Sequence, residues 1–499
     1  MKNGYFMKNL ILILIPVFSL CILNVCKNAD ETMDKIYYAK DALLNNVLIH
    51  HIDQFKFGRT GYVGHFSEDT SSVTFTVSVP RSDNYDIVVS SANPAGRGEK
   101  YNYVLVNGKQ AGEFKTLDNN VFNDSVIKRV YIEKGKTEIT IQKYWGWIYV
   151  DYILLRKSGE INYDIYDVSP ALVNPNADNN AKRLMKYITD IYGRQTLSGQ
   201  CGEGISGDDF KAVYSVTGKY PAVMMLDMMD YSPSRVKYGT RGKSVEAAIE
   251  WHKLGGVVKF LWHWNAPKDL IDSQERKWWS GFYTDATNFN LAKALSGEDA
   301  EGYDLLISDI DAIAFQLTRL RDAGIPVLWR PLHEASGGWF WWGASGADNF
   351  KKLWILLFER LTYHHQLNNL IWIWNGQDKN WFPGAEYVDL VGEDVYAQKR
   401  NYSSQVHKFF EIAEYLHELD AMKVIGLTEC ATVPDINEME RDKAMWFMFA
   451  VWNSDFVRNR NSSVYSQEYT ESSHLKKMYD DERVITLDDL PDLKNYPLN

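Results

Sequence analysis

The residues best suited to chemistry are concentrated in one stretch of the chain. An apolar run, residues 325–329, leads directly into Arg330, His333 and Glu334, and a glycine pair and three tryptophans follow. This order is typical of a buried strand that ends in a site, where an arginine and a histidine can adjust the charge of a rigidly held carboxylic acid. Flat aromatic faces beside a carboxylate suit a sugar ring beside its acid catalyst. A core strand with one exposed glutamate is the simpler alternative.

The composition favours one class of partner and excludes another. The chain has 499 residues, more than one hydrophobic core usually supports, so two domains are expected. Aromatic residues make up 14 %, with 17 Trp and 30 Tyr, which is typical of proteins that stack on carbohydrate. The net charge of −11 argues against a nucleic-acid partner.

The N-terminus has the features of an export signal. Two lysines accompany a mostly apolar run, residues 10–23, which is short for a membrane-spanning helix. Residues 23–26 resemble a bacterial lipobox, although Val25 replaces the usual small residue. We predict a lipoprotein signal peptide over residues 1–26, with Cys26 as the lipid anchor of an exported bacterial protein at the cell surface, the outer membrane or in the periplasm. A plain secretory signal is the alternative.

The mature chain contains two further cysteines, Cys201 and Cys430. One pair cannot form a disulfide framework, and no Cys-x-x-Cys or His-x-x-x-His spacing indicates a metal site. We therefore predict no metal, and we expect a monomer that contacts membrane only through its lipid.

Residues 35–157 predict an all-β sandwich module. Apolar residues alternate with Thr and Ser over residues 73–79, and Asn107-Gly108 is a strong hairpin signal. Many short strands without a long helix are typical of an antiparallel sandwich. Tyr101 and Trp145 are its candidate sugar-contacting residues, although core packing is the commoner role for such rings.

The polar residues 158–175 predict a linker, and strand and helix signals alternate through residues 176–499. The strand-like runs are residues 195–199, 222–227, 257–263, 326–330, 370–374, 388–392, 423–428 and 446–451. Eight such units, most of them separated by amphipathic helices, predict a (β/α)₈ TIM barrel. A doubly wound open sheet is the alternative, but no Gly-rich phosphate turn follows the first strand.

Barrel enzymes carry their chemistry at the C-terminal ends of the strands, here called the rim. Glu334 ends the fourth strand and Glu429 the seventh, across the mouth of the barrel. A retaining glycosidase needs two carboxyl groups about 5–5.5 Å apart, one as nucleophile and one as acid/base. Glu393 and Asp394 are adjacent, so at most one of them faces the mouth. We take Asp394, with Arg330, as supporting residues.

These motifs resemble glycoside hydrolase family 26, the endo-β-1,4-mannanases of clan A. The resemblance covers the whole barrel and is carried by Arg-Pro-Leu-His-Glu at 330–334, Gly-Trp-Phe-Trp-Trp at 338–342, Gly-Glu-Asp-Val-Tyr at 392–396 and Gly-Leu-Thr-Glu at 426–429. The first module resembles the jelly-roll carbohydrate-binding modules of family 35 through residues 145–153. Such modules open with a calcium-binding Glu-Ala-Glu, where this chain has Tyr-Ala-Lys at 38–40, so that calcium site is in doubt.

The resemblance implies retaining, endo-acting hydrolysis of β-1,4-mannosidic bonds in mannan, galactomannan or glucomannan, without a cofactor. It implies that Glu334 is the acid/base and Glu429 the nucleophile. The residues expected to bind the sugar are His263, Trp264, His333, Trp339, Trp374, Tyr396 and Trp452. We expect Trp341 and Trp342, further along the loop, at distal subsites. Aromatic burial and a neighbouring carboxylate should raise the pKa of Glu334, and a tyrosine hydroxyl should lower that of Glu429.

Two other functions are open at this point. Relatives in the same family cut β-1,3-xylan or mixed-linkage β-glucan, and a barrel that has lost catalysis could be a surface glycan-binding protein. The presence of both Glu334 and Glu429, with His333 and Tyr396, argues against the non-catalytic alternative.

Overall fold

Two strand-rich units follow one another along the chain. In the computed structural model, which describes residues 34–498, the first unit has antiparallel strands and the second has parallel strands that alternate with helices. The predicted signal peptide and Cys26 lie outside the described residues. None of the helices within 34–498 is long and apolar enough to cross a membrane.

The first unit is a sandwich of two antiparallel sheets, as the sequence predicts. Its strands are β1 Lys35–Tyr38, β2 Leu43–Asn45, β3 Leu48–His50, β4 Tyr62–Gly64, β5 Ser72–Val79, β6 Asp83–Ala92, β7 Lys100–Val106, β8 Lys109–Thr116, β9 Asn123–Ile132, β10 Gly135–Trp145 and β11 Tyr149–Lys157. One sheet has the order β3-β4-β11-β6-β9, with β1 beside β11, and the other has the order β2-β5-β10-β7-β8. Because side chains alternate along a strand, β5 buries its valines and Phe75 between the sheets.

The second unit is a closed barrel of eight parallel strands. They are β12 Thr196–Cys201, β13 Val223–Asp227, β14 Val257–Leu261, β15 Val327–Arg330, β16 Leu370–Trp374, β17 Leu390–Val395, β18 Val424–Cys430 and β19 Met448–Val451. Strand β12 pairs with both β13 and β19, so the sheet closes and the open-sheet alternative is excluded. A short strand, β20 Val484–Ile485, adds to β12. The predicted (β/α)₈ fold is confirmed, and each predicted run overlaps one barrel strand.

Helices surround the barrel. They are α1 Asn179–Ile191, α2 Asp208–Thr217, α3 Pro233–Val236, α4 Ser244–Lys253, α5 Leu291–Ser296, α6 Ala300–Asp322, α7 Ala347–Glu359, α8 Val406–Glu418, α9 Ile436–Arg441 and α10 Ser472–Asp480. Helix α6 shows why the sequence forms them, since it buries Leu306, Ile310, Ile313, Leu317 and Leu320 at helical spacing in the core of the barrel unit. Its N-cap Asp299 accepts the Gly302 backbone N–H.

The linker, residues 158–175, packs against the barrel. The backbone N–H of Val173 donates to Asp389 Oδ1 at 2.7 Å, and the other oxygen of Asp389 accepts the N–H of Trp372 on β16 at 2.8 Å. The Tyr166 hydroxyl donates to the Lys443 carbonyl at 2.7 Å. These bonds fix the path by which the chain enters the barrel.

The sandwich docks on helix α8 and on the loop that precedes it, residues 396–405. The side-chain amide of Asn401 donates to the Gln110 carbonyl at 2.9 Å, and the backbone N–H of Lys128 donates to His407 Nδ1 at 3.1 Å. Burial lowers the pKa of His407 to about 4, so its ring is a neutral acceptor near pH 7. The module therefore supports the loop that carries Tyr396.

Glu393 on β17 is a buried carboxylate at this junction. Its nearest cation is the Lys408 ammonium on α8, at 3.8 Å. Burial raises the pKa of Glu393 from 4.5 to about 8, although Lys408 opposes the rise. Between about pH 4.5 and 8 the folded protein therefore holds a proton that the unfolded chain has released, so stability falls as the pH rises through this window.

Glu393→Gln should remove this pH dependence, because the amide carries no charge in either state. We expect the fall in melting temperature between about pH 5 and pH 8 to be smaller by a few degrees in Glu393→Gln than in the unsubstituted protein. Glu418→Gln, at an exposed position of α8, is the control and should keep the original dependence. The measurement is thermal unfolding of all three proteins at both pH values. An equal fall in melting temperature for all three would contradict the interpretation.

Candidate active site

Arg330, the last residue of β15, lies at the centre of the rim site. Its side chain is fully buried. The guanidinium donates to Asp394 on β17 and, at 3.1 and 3.2 Å, to Glu429 Oε2 on β18. A buried arginine persists only where carboxylates and hydrogen bonds compensate its charge. Arg330 therefore fixes the carboxylates of two neighbouring strands at once.

Strand irregularity places Asp394 beside Glu429. The register between β17 and β18 shifts at Glu393, so that Asp394 pairs directly with Glu429. Asp394 Oδ1 also accepts the Thr428 hydroxyl at 2.9 Å. Glu393 faces the other side of the strand, toward Lys408, in agreement with the rule that only one of the adjacent acids faces the mouth.

The Glu429 carboxylate has a third partner at the rim. The Tyr396 hydroxyl donates to Glu429 Oε1, and the Tyr396 ring packs edge-on against Phe456 at 5.3 Å. The ring is 42 % exposed, so its outer face is open to the mouth of the barrel. Arg330 and Tyr396 thus occupy different oxygens of Glu429.

Glu334 is held by an unusual backbone conformation. Its φ of 53° lies in the left-handed region, which costs an ordinary residue about 1–2 kcal/mol. The backbone compensates through the Glu334 N–H, which donates to the Asn375 carbonyl at 2.8 Å. The indole N–H of Trp339 donates to Glu334 Oε2 at 3.0 Å. Local strain at a rim carboxylate is characteristic of positions where side-chain direction matters.

The two glutamates differ in the way their charge is stabilised. Burial, Asp394 and Glu429 raise the pKa of Glu334 well above its ordinary value, and its hydrogen-bond donor is Trp339. Burial and Asp394 also raise the pKa of Glu429, but Arg330 and the Tyr396 hydroxyl oppose that rise. Glu334 is therefore suited to hold a proton, and Glu429 to remain an anion. The Tyr396 hydroxyl lowers the pKa of Glu429 as expected, but burial and Asp394 outweigh it, so the net shift is upward.

Three carboxylates lie close together at the rim. One oxygen each of Glu334, Asp394 and Glu429 lies within 4.8 Å of the others. Arg330 bonds two of the three and supplies positive charge that offsets their repulsion. Two carboxyl groups on opposite strands at this separation can act on the same bond.

Two histidines form a chain beside Glu334. Asp227, at the end of β13, lies 2.6 Å from His263 Nδ1, and His263 Nε2 lies 3.3 Å from His333 Nε2. Burial and Arg330 lower the pKa of His333 well below its ordinary value, so the ring is neutral. Within residues 34–498, no group bonds His333 Nδ1. A consistent assignment has His263 donating to Asp227 and His333 donating to His263.

Family models match both units of the chain. The model of glycosyl hydrolase family 26 matches residues 173–489, and the model of carbohydrate binding module family 35 matches residues 35–158. The first match spans more than half of the chain. The chain belongs to glycosyl hydrolase family 26.

Relatives that align with most of this chain exist among curated proteins and solved structures. A mannan endo-1,4-beta-mannosidase of Thermothelomyces thermophilus is 41 % identical over 461 residues, which cover 92 % of this chain and 91 % of that protein. Mannan endo-1,4-beta-mannosidase B of Piromyces sp is 32 % identical and covers 92 % of this chain and 77 % of its own. The crystal structure of a Podospora anserina GH26-CBM35 beta-(1,4)-mannanase is 39 % identical, has a TM-score of 0.64, and covers 93 % of this chain and 100 % of its own.

The rim tryptophans of this family 26 barrel divide into open and covered rings. Trp339 is 45 % exposed, and Trp452 is half-buried with its ring 5.9 Å from that of His263. Both can present a face to a ligand. Trp264 is fully buried between Trp262 and Trp341 and donates to Asp309 at 2.7 Å, so its predicted contact with the sugar is wrong.

Three other rings are also covered. Trp374 is 4 % exposed and packs edge-on against Phe382, so most of its ring is covered, and its role in sugar binding stays a prediction. Trp341 and Trp342 are buried as well, and their indole N–H groups donate to the Trp264 and His333 carbonyls. Their predicted place at distal subsites is wrong, because the loop folds back over the rim and uses them as packing.

Some site residues escaped the sequence reasoning. The roles of Asp227 and Asn375 were not predicted, although Asp227 is the last residue of β13 and Asn375 directly follows β16. Lys259 on β14 was missed entirely, yet it is the one charged residue in the apolar run Val257–Leu261, and that interruption is a usable signal. A buried charge inside a barrel strand must be compensated by groups on other strands. The sequence does not show which of those groups lie near it.

The family 35 module presents its own exposed rings. Trp145 is 59 % exposed, and Tyr101 packs near it with ring centroids 6.3 Å apart. Tyr103 and Tyr144 stack at 4.3 Å on the same two paired strands, β7 and β10. The predicted pair therefore lies together on β7 and β10, although Tyr101 is itself partly covered.

Trp339→Phe should change the pH profile of the enzyme. The variant keeps an aromatic face but loses the donor to Glu334, so the pKa of Glu334 rises and the alkaline limb of kcat/KM moves to higher pH. Trp341→Phe is the matched control. It loses a buried bond, which costs about 1–3 kcal/mol of stability, but it should leave the limb in place. The test is to measure kcat/KM against pH and thermal unfolding for both variants. A shift of the alkaline limb in Trp341→Phe alone would refute the role given to the bond between Trp339 and Glu334.

Proposed function

We propose that this protein is an endo-β-1,4-mannanase that hydrolyses mannan, galactomannan or glucomannan with retention of anomeric configuration. The observation that carries the proposal is the pair Glu334 and Glu429, whose oxygens approach within 4.8 Å across the rim and whose partners differ. Retaining enzymes have carboxyl groups about 5–5.5 Å apart, and inverting enzymes about 6.5–9.5 Å. The mannanase activity named for the relatives supports the substrate class.

The geometry suits a two-step reaction. Glu429 attacks the anomeric carbon while Glu334 gives its proton to the glycosidic oxygen, so the C–O bond breaks and a glycosyl ester forms. Glu334, now a carboxylate, takes a proton from a water molecule that attacks the same carbon. The ester bond then breaks, and Glu429 is released as an anion that Arg330 and Tyr396 stabilise.

Replacement of either glutamate should distinguish the two roles. Glu334→Ala and Glu429→Ala should each lower mannan hydrolysis by roughly 10²–10⁴-fold or more. With an activated aryl mannoside, whose leaving group needs no proton, Glu334→Ala should form the glycosyl-enzyme and then stall. Glu429→Ala should form none. Mass spectrometry of the quenched proteins detects the adduct, Glu418→Ala is the folded control, and an adduct in Glu429→Ala would reverse the assignment.

A panel of three polysaccharides tests which substrate the protein hydrolyses. Release of reducing ends should be high on β-1,4-mannan and low on β-1,3-xylan and mixed-linkage β-glucan. Faster release from xylan or glucan would move the protein to another activity of the same family. Binding to these glycans without any release would favour a non-catalytic surface protein.

We also propose that the protein is exported and held at a bacterial membrane by lipid on Cys26. The apolar run before Cys26 and the polar residues after it support this. Cys26→Ala should move the protein from the membrane to the soluble fraction after cell fractionation. A variant that remains with the membrane would indicate Cys21 or an uncleaved signal instead.

A further inference from the structure

Lys259 lies inside the barrel, below the rim. It interrupts the apolar strand β14, and it is fully buried. Its ammonium donates to the Thr428 carbonyl and lies 2.9 Å from the thioether sulfur of Met225. Both acceptors are neutral, so these bonds alone do not offset the cost of burying a charge. The compensation must come from ionised neighbours.

The ionisable groups around Lys259 belong to four other strands. They include Cys201 on β12, Arg330 on β15, Asp394 on β17 and Glu429 on β18. Lys259 also acts on His333, which follows β15 and is neutral, and on the buried thiol of Cys430 on β18. Burial and Arg330 lower the pKa of Lys259 to about 7, whereas the two carboxylates oppose this. Burial keeps the Cys201 thiol neutral by raising its pKa well above the ordinary value. On the acid side of neutrality, Lys259 is therefore a cation.

Arg330, Lys259, Asp394 and Glu429 together form what we call the active-site floor. We propose that Lys259 is a positioning residue that supplies the second positive charge of this floor, and so allows Asp394 and Glu429 to be ionised together. Its bond to Thr428 also fixes the peptide group that precedes Glu429. The inference rests on the retaining reaction proposed above.

Charge balance through the reaction explains the need for a second cation. Before reaction, two cations face two carboxylates, and Glu334 is protonated. In the glycosyl-enzyme, Glu429 is a neutral ester and Glu334 has become a carboxylate, so two cations again face two anions. Without Lys259 the buried site would carry an uncompensated negative charge at both stages, and its carboxylates would bind protons more tightly.

Lys259→Met tests the charge while nearly preserving side-chain length. On a substrate that the unsubstituted enzyme cleaves, the acid limb of kcat/KM should move up by about one pH unit, which is a tenfold rise in proton affinity. kcat should fall by about tenfold or more, and KM should change by less than about threefold. A lysine that only supports the fold would lower the melting temperature and leave the limb where it is, which would overturn the proposal.

Asp394→Asn provides a second comparison in case Lys259→Met folds poorly. This variant leaves the floor with an excess positive charge, so its acid limb should lie below that of the unsubstituted enzyme. Adding Lys259→Met to Asp394→Asn removes the excess positive charge. The acid limb of the double variant should therefore lie at higher pH than that of Asp394→Asn.

If the acid limb of kcat/KM lies at the same pH in Asp394→Asn and in the double variant, the proposal is overturned. It would also be overturned if Asp394→Asn folds and neither Lys259 variant does, because the lysine would then be structural. Failure of the unsubstituted enzyme to cleave mannan would instead refute the proposed function, so the two failures are distinct.

Discussion

The contact of one buried guanidinium with two carboxylates is the interaction on which the site depends. Arg330 reaches from β15 across the barrel to Asp394 and Glu429 on β17 and β18. In a low-dielectric interior, neither acid could remain ionised without such a partner. The closed barrel makes this reach possible, because it turns the ends of strands that are distant in sequence toward one centre.

Both glutamates are buried, but the groups that hydrogen-bond them differ. Both carboxyl groups are removed from water, which raises both pKa values. Glu429 also receives Arg330 and a phenolic hydroxyl, whereas Glu334 receives one indole N–H on a strained backbone. The proposed division between proton donor and nucleophile therefore rests on the number and charge of the hydrogen-bond donors around each group.

Much of the fold and the identity of the two glutamates follow from local patterns. Strand periodicity, helix stripes and the position of Glu334 and Glu429 after apolar runs are properties of short segments, so they are readable along the chain. The tryptophans show a feature that local patterns do not predict. Trp339 and Trp342 lie in the same loop and look alike in sequence, yet one ring is open and the other is buried. That difference depends on how the loop folds over neighbouring strands.

The sequence by itself determined the two units, the barrel strands and the residue types at the rim. Only the tertiary structure decided that Asp394 joins Arg330, that Lys259 bonds the carbonyl of Thr428 beside Glu429, and that the sandwich supports the loop of Tyr396. The physical reason is that burial, charge compensation and pKa are set by groups from several strands at once. Such groups are separated by long stretches of chain, and local spacing carries no information about which of them meet.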